Sequence, residues 1–173
     1  MIVFEEEVRE IVKILPAHTE PKSPTGFTVW PIRYDWGTYE VLTKFLLLKE
    51  NASKYPLLWM ITDPTNGNKE RTHATRKAKF VLATSSNNPD GFNEFQYHND
   101  FLKVLIPVYD NILTAFIKSG RFSIKSDILP YNLEPNFSVK KNGKTPIAIW
   151  NAISFTIDIS IDNRKCLNKN IKF

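Results

Sequence analysis

Cysteine is nearly absent from this chain. Cys166 is the one thiol in 173 residues, which excludes an intrachain disulfide framework and any zinc site built from several cysteines. No apolar run approaches the length that spans a bilayer. The N-terminus sets Ile2, Val3 and Phe4 before three glutamates, the reverse polarity of a secretory signal. These readings imply a soluble intracellular protein with no membrane partner. Glycine is scarce, with six residues, and histidine scarcer, with three. His18, His73 and His98 fall in separate elements without a His-x-x-x-His spacing, so none is placed as a metal ligand or an oriented base. Gly143-Lys144-Thr145 lacks the earlier glycine and the following helix that a phosphate loop requires. Asp90, Glu94 and Gln96 echo metal-dependent nucleases, but they open a helix where those enzymes present acid and lysine on a strand. Asp158 and Asp162 share a strand face yet stand about 13 Å apart at 3.3 Å per residue, too far for one metal. Cys166 has no histidine near it in sequence, which favours an incidental thiol over a nucleophile. The chain reads as a non-enzyme with no cofactor.

What is present is a core-forming composition. Apolar residues are 42 % and aromatic residues 13 %, inside the globular range and against general disorder. The length fits one domain, residues 1–163, followed by a basic C-terminal arm, 164–173. Within the domain, residues 17–50 read as an inserted proline- and aromatic-rich loop followed by a helix. Apolar spacing at Val8, Ile11, Val12 and Leu15 predicts a helix over 2–15, ended by Pro16, with a solvent-facing first turn. Asp35 reads as the N-cap of a helix over 38–50. The apolar run 55–62 and the alternating run 75–85 predict paired strands. A wide apolar stripe from Phe101 to Ile117 predicts a long helix over 93–118, kinked or broken at Pro107. Residues 121–136 read as irregular, and Asn142-Gly143 as the turn of a hairpin. The clearest pattern is the last one. Ile153, Phe155, Ile157, Ile159 and Ile161 alternate with Ser154, Thr156, Asp158, Ser160 and Asp162, an antiparallel strand with one buried face. The fold class is α+β, an antiparallel sheet of about four strands with helices packed on one face.

Charge and aromatics supply the candidate functional residues. The balance is 23 basic and 18 acidic residues, net +5, basic but short of a polycation. Arg71, Arg76, Lys77 and Lys79 lie in and before one strand, and Lys140, Lys141 and Lys144 surround the hairpin turn. Such patches suit a DNA-facing or partner-facing surface. No recognition helix, aromatic pair or glycine clamp accompanies them, so they imply no sequence-specific readout. Glu5, Glu6 and Glu7 offer the complementary acidic face for a neighbouring copy. Trp30, Tyr34 and Trp36 lie in a segment too short to form its own core, and large aromatics there pack on the domain or on a partner. Glu5, Glu6, Glu7, Trp30, Tyr34 and Trp36 are therefore the candidate subunit-interface residues.

Four segments carry a resemblance: Lys54-Tyr55-Pro56-Leu57-Leu58-Trp59-Met60, Ala78-Lys79-Phe80-Val81-Leu82-Ala83-Thr84, Phe101-Leu102-Lys103-Val104-Leu105-Ile106-Pro107-Val108-Tyr109 and Ile149-Trp150-Asn151-Ala152-Ile153. With the N-terminal helix before them, their order over residues 50–165 resembles that of tail-terminator and tail-completion proteins of tailed bacteriophages. Residues 17–50 are additional to the minimal fold of that family. The resemblance implies a tail-terminator-like fold and a structural virion protein at the head–tail neck, assembled in the host cytoplasm. It further implies a homomeric ring of six- or twelve-fold symmetry. Its partners would be further copies of itself, the neighbouring portal or connector and tail proteins, and genomic DNA passing through the channel without sequence specificity. The alternative is a small cytoplasmic DNA-binding or nuclease-like phage protein, and the state of assembly separates the two.

Overall fold

The computed structural model describes residues 3–21, 27–48, 56–62, 73–86, 93–124, 129–137, 149–162 and 164–173. Helix α1 (Phe4–Val12) is followed by β1 (His18–Pro21), β2 (Phe27–Trp30), β3 (Arg33–Gly37), α2 (Tyr39–Leu47), β4 (Leu57–Ile61) and β5 (His73–Ser86). A helical stretch comes next in three pieces: α3 (Glu94–Gln96), a π-helical segment (Tyr97–Leu105) and α4 (Ile106–Lys118). Strands β6 (Phe122–Ile124), β7 (Tyr131–Glu134) and β8 (Ile149–Asp162) complete the order.

The class is α+β, but the sheet differs from the expected one in three ways. It has six strands, not four: the order is β3-β4-β5-β8, with β6 and β7 both pairing β8. It is mixed, because β3 runs parallel to β4, with Arg33 opposite Leu57 and Gly37 opposite Ile61. Helix α2 lies between these two strands in the chain, and a crossover of that kind returns the second strand in the same direction. Helices also cover both faces, not one, since α2 packs opposite α1 and α4. Strands β1 and β2 form a separate antiparallel pair. Asp35 falls inside β3, and the cap of α2 is Thr38, whose Oγ1 accepts the Val41 amide at 3.4 Å. The stretch 121–136, read as irregular, contains β6 and β7. The hairpin expected at Asn142-Gly143 lies outside the described residues.

Strands β5 and β8 form the spine, paired from His73 opposite Asp162 to Ser86 opposite Ile149. The side-chain period of two sends Phe80, Leu82, Ile153, Phe155, Ile157, Ile159 and Ile161 to one face. Val8 and Ile11 of α1, Phe101 of the π-helical segment, and Ile112 and Phe116 of α4 close that face into the main core. Among the described residues the other face is buried at one end. There Leu57, Trp59, Val81, Ala83 and Trp150 lie under Leu42 and Leu46 of α2. Towards the opposite end, Thr75, Lys77, Lys79 and Asp158 stay exposed.

Two tryptophans pin α2 to the sheet. Trp59 Nε1 donates to the Gly37 carbonyl just before the helix, and Trp150 Nε1 donates to the Leu46 carbonyl in its last turn, each at 3.2 Å. Gly37 makes room for the first indole, because a Cβ there would sit 3.1 Å from the Trp59 ring.

Pro107 marks the change of helical register. It has no amide hydrogen, and its ring crowds the carbonyl four residues back. The wider π-helical turn ahead of it relieves that crowding, with the Ile106 amide reaching the Phe101 carbonyl, five residues back.

Candidate assembly interface

Strand β3 sorts the aromatic candidates by its alternation. Tyr34 stands opposite Leu58 and Trp36 opposite Met60, so both face the side that α1 covers. Tyr34 is drawn inward. Its hydroxyl donates to the Glu5 carbonyl at 3.1 Å, and the Arg9 guanidinium lies 5.9 Å from its ring centroid. Burial pushes its phenol far above the ordinary tyrosine range, with the Glu5 charge adding to the effect. Trp36 remains at the surface, 40 % exposed. The Trp30 backbone pairs with His18, while its side chain lies outside the described residues.

The first turn of α1 is not solvent-facing throughout. Phe4 and Val8 dock on the sheet, which carries Glu5 and Glu7 to the rim of that contact. Glu5 Oε1 meets Arg76 Nη1 at 2.6 Å and Glu7 Oε1 meets Arg121 Nη2 at 2.9 Å, every side chain three-quarters or more buried. Arg76 also lies 5.0 Å over the Phe4 ring, a cation–π arrangement. Burial raises the Glu7 carboxyl above its ordinary range, outweighing the opposite pull of Arg121, and Glu10 pushes the same way. Arg121 Nε is buried without a hydrogen-bond partner, so this second pair is incompletely satisfied. Glu6 stays outside and pairs with Arg9 at 3.2 Å.

The basic candidates also divide by strand period. Arg76 faces α1. Lys77 and Lys79 point to the opposite, exposed face, Lys77 beside Asp158 and Lys79 beside Thr156 on β8. Lys79 Nζ lies 5.9 Å from the Tyr39 ring centroid. Arg71, Lys140, Lys141 and Lys144 lie outside the described residues. The basic arm docks on its own chain. Leu167 and Ile171 rest on the main core, and the Asn168 amide donates to the Ser119 carbonyl at 2.9 Å. The Asn168 side chain also reaches the Lys118 carbonyl at 3.4 Å, so the arm takes up backbone acceptors left at the end of α4.

Two features escaped the sequence reading. At the far side of the sheet, β7 exposes Tyr131 and Leu133, 38 % and 36 % accessible, between Pro130 and Pro135. The second is a polar cluster inside the protein. Asn151 is fully buried; its Nδ2 donates to Asp100 Oδ2 at 2.6 Å and its Oδ1 accepts the Asn136 amide at 2.8 Å. Gln96, also fully buried, donates to Ser86 Oγ at 3.2 Å. The one available signal was an asparagine inside the apolar run 149–153. The cluster ties the turn after β7 to the π-helical segment.

Among the described residues no three histidine, cysteine, aspartate or glutamate side chains converge as a metal site requires. His98 lies 3.7 Å from Glu94 with both side chains exposed, and Cys166 is exposed. No described helix is long and apolar enough to cross a membrane. The described residues also present exposed surfaces: an aromatic flank at β3, an apolar flank at β7 and a lysine-bearing sheet face between them. No protein family, curated protein or solved structure matches the chain.

Proposed function

We propose that this chain is a structural subunit of a tailed-bacteriophage virion, tail-terminator-like in fold, closing a homomeric ring at the head–tail junction that joins connector to tail. The observation that supports the reading is the difference between the two flanks of one sheet. Trp36 protrudes near the β3 edge, and Tyr131 and Leu133 near the β7 edge, with β4, β5 and β8 between them. Four strand spacings separate the edges, about 19 Å at 4.8 Å each. Unlike flanks make a head-to-tail contact, and a head-to-tail contact closes a ring when its rotation permits. Pro130 and Pro135 limit strand addition at β7, so side-chain packing of Trp36 against Tyr131 and Leu133 makes the contact. The sheet face with Lys77 and Lys79 then turns to the channel, where it neutralises passing DNA phosphates without reading bases.

A cytoplasmic DNA-binding protein is the second reading, and the same two lysines favour it. Light scattering with negative-stain imaging decides. A ring subunit gives a closed oligomer, lost in the double variant Trp36→Ala, Leu133→Ser while circular dichroism stays native. A chain that stays monomeric at every concentration, yet binds DNA with steep salt dependence, replaces the ring reading.

A further inference from the structure

We infer that α1 is an exchangeable latch: in the ring, the seat it occupies here receives the α1 of the neighbouring copy. This rests on the ring reading above. The seat binds α1 in two ways. It is apolar in the middle, where Val8 and Ile11 are fully buried, and charged at the rim, where Arg76 and Arg121 meet Glu5 and Glu7. The charges match a second copy's α1, since Arg76 and Arg121 meet acids of the first turn of that helix here, at Glu5 and Glu7.

The connection permits exchange. Residues 13–17 lead from α1 into the rest of the fold, a span of at most about 18 Å when extended. The turn after α1 closes with the Leu15 amide on the Val12 carbonyl at 3.1 Å, and Pro16, with no amide hydrogen, cannot prolong it. The contacts that α1 makes in exchange are the ones it already makes within the chain, so the cost of opening falls on 13–17, where Ile14 and Leu15 now rest on the main core. The Glu7 end is the weaker one, because Arg121 Nε lacks a partner there.

The test uses full-length chains with reversed charges. One carries Glu5→Lys and Glu7→Lys, so its helix repels its own seat. The other carries Arg76→Glu and Arg121→Glu, so its seat repels its own helix. Exchange predicts that each alone loses the assembled species. An equimolar mixture should regain the wild-type assembled mass with equal shares of both chains, read by native mass spectrometry. The four-site chain with all these substitutions should assemble alone. Three results overturn exchange: either two-site chain assembling alone as wild type does, a mixture that behaves as the sum of its parts, or recovery of both chains as separate monomers. Should the four-site chain not fold, single-site chains Glu5→Lys and Arg76→Glu are mixed in the same way, and absence of recovery overturns exchange equally. Wild-type rings that persist while mixing fails remove exchange and leave the ring reading standing. A wild-type chain that never exceeds a monomer's mass removes the ring reading itself.

Discussion

Helices α1 and α2 pack on opposite faces of one sheet and are held there by different chemistry. Helix α2 is bracketed by neutral hydrogen bonds from Trp59 and Trp150, both almost fully buried. Helix α1 has an equally apolar underside, but its polar ties are the ion pairs Glu5–Arg76 and Glu7–Arg121 and the Tyr34 hydroxyl on the Glu5 carbonyl. Indole–carbonyl bonds carry no net charge, so neither salt nor pH between 4 and 9 weakens them. Carboxylate–guanidinium pairs respond to both. The same two-layer packing thus yields one helix that is a fixed part of the core and one whose attachment depends on conditions.

The largest effect is expected on the α2 side. Trp150→Ala empties a fully buried site and removes the donor to Leu46, and truncations of this kind cost about 3–5 kcal/mol. Thermal melts should shift down by about 10 °C or more, by the same amount in low and high salt. A salt-dependent shift would break the distinction between the two helices. On the α1 side, Arg76→Ala should cost about 1–2 kcal/mol, between the values for exposed and buried pairs. Here the loss measured by denaturant should shrink as salt rises from low to molar, since screening weakens the wild-type pair that the variant lacks. A double-mutant cycle with Glu5→Gln separates the ion pair from the Arg76–Phe4 contact.

These two attachments were not equally legible in the sequence. The spine strand was, because ten alternating residues from Ile153 to Asp162 leave one choice of buried face. The burial of α1 on its Val8 and Ile11 side was also legible from helical spacing. Its ion pairs were not, since Glu5 and Arg76 are 71 positions apart and Glu7 and Arg121 are 114 apart. Three cations at 76, 77 and 79 look like one patch until strand alternation turns Arg76 away from Lys77 and Lys79. Strands β6 and β7, at three and four residues, are too short to show a period. Asp35 resembled a helix cap because side-chain chemistry at caps is local, whereas its place in β3 depends on pairing with Trp59. Of the aromatic candidates, Trp36 keeps an exposed surface. Tyr34 is partly buried, for the strand carries it beneath α1.

A smaller effect separates the two pairs of α1 from each other. Burial raises the Glu7 carboxyl, so the folded state holds its proton more tightly than the unfolded chain does. The sign follows from linkage: this contribution is fully present below the unfolded carboxylate range and is lost as pH rises through the raised folded value. Glu7→Gln keeps the neutral form at every pH. Measured against wild type, the variant should therefore gain relative stability as pH increases from 4 to 7. A relative loss over that window would mean that the Arg121 pair outweighs burial and that both ends of the latch are equally sound.

The smallest effect is expected where the same charge types join nothing across the fold. Asp162 and Arg164 form a bidentate contact at 2.9 and 3.0 Å two positions apart, and hydrogen bonds from the Arg164 side chain and backbone hold the Asp162 carboxyl down at about 2. The group is depressed, so its contribution is present above the unfolded carboxylate value and lost only as pH falls through about 2. Arg164→Ala removes the side-chain bonds but keeps the backbone amide, so the Asp162 carboxyl should rise part of the way to the ordinary carboxylate range in an NMR titration. The variant should lower the melting temperature at neutral pH only slightly and far less than Arg76→Ala does, because solvent screens this exposed pair, which fixes a turn after β8 and clasps no second element. If Arg164→Ala lowered the melting temperature as far as Arg76→Ala, the strength of an ion pair here would not depend on what it joins. The contrast between α1 and α2 would then reduce to a count of charges.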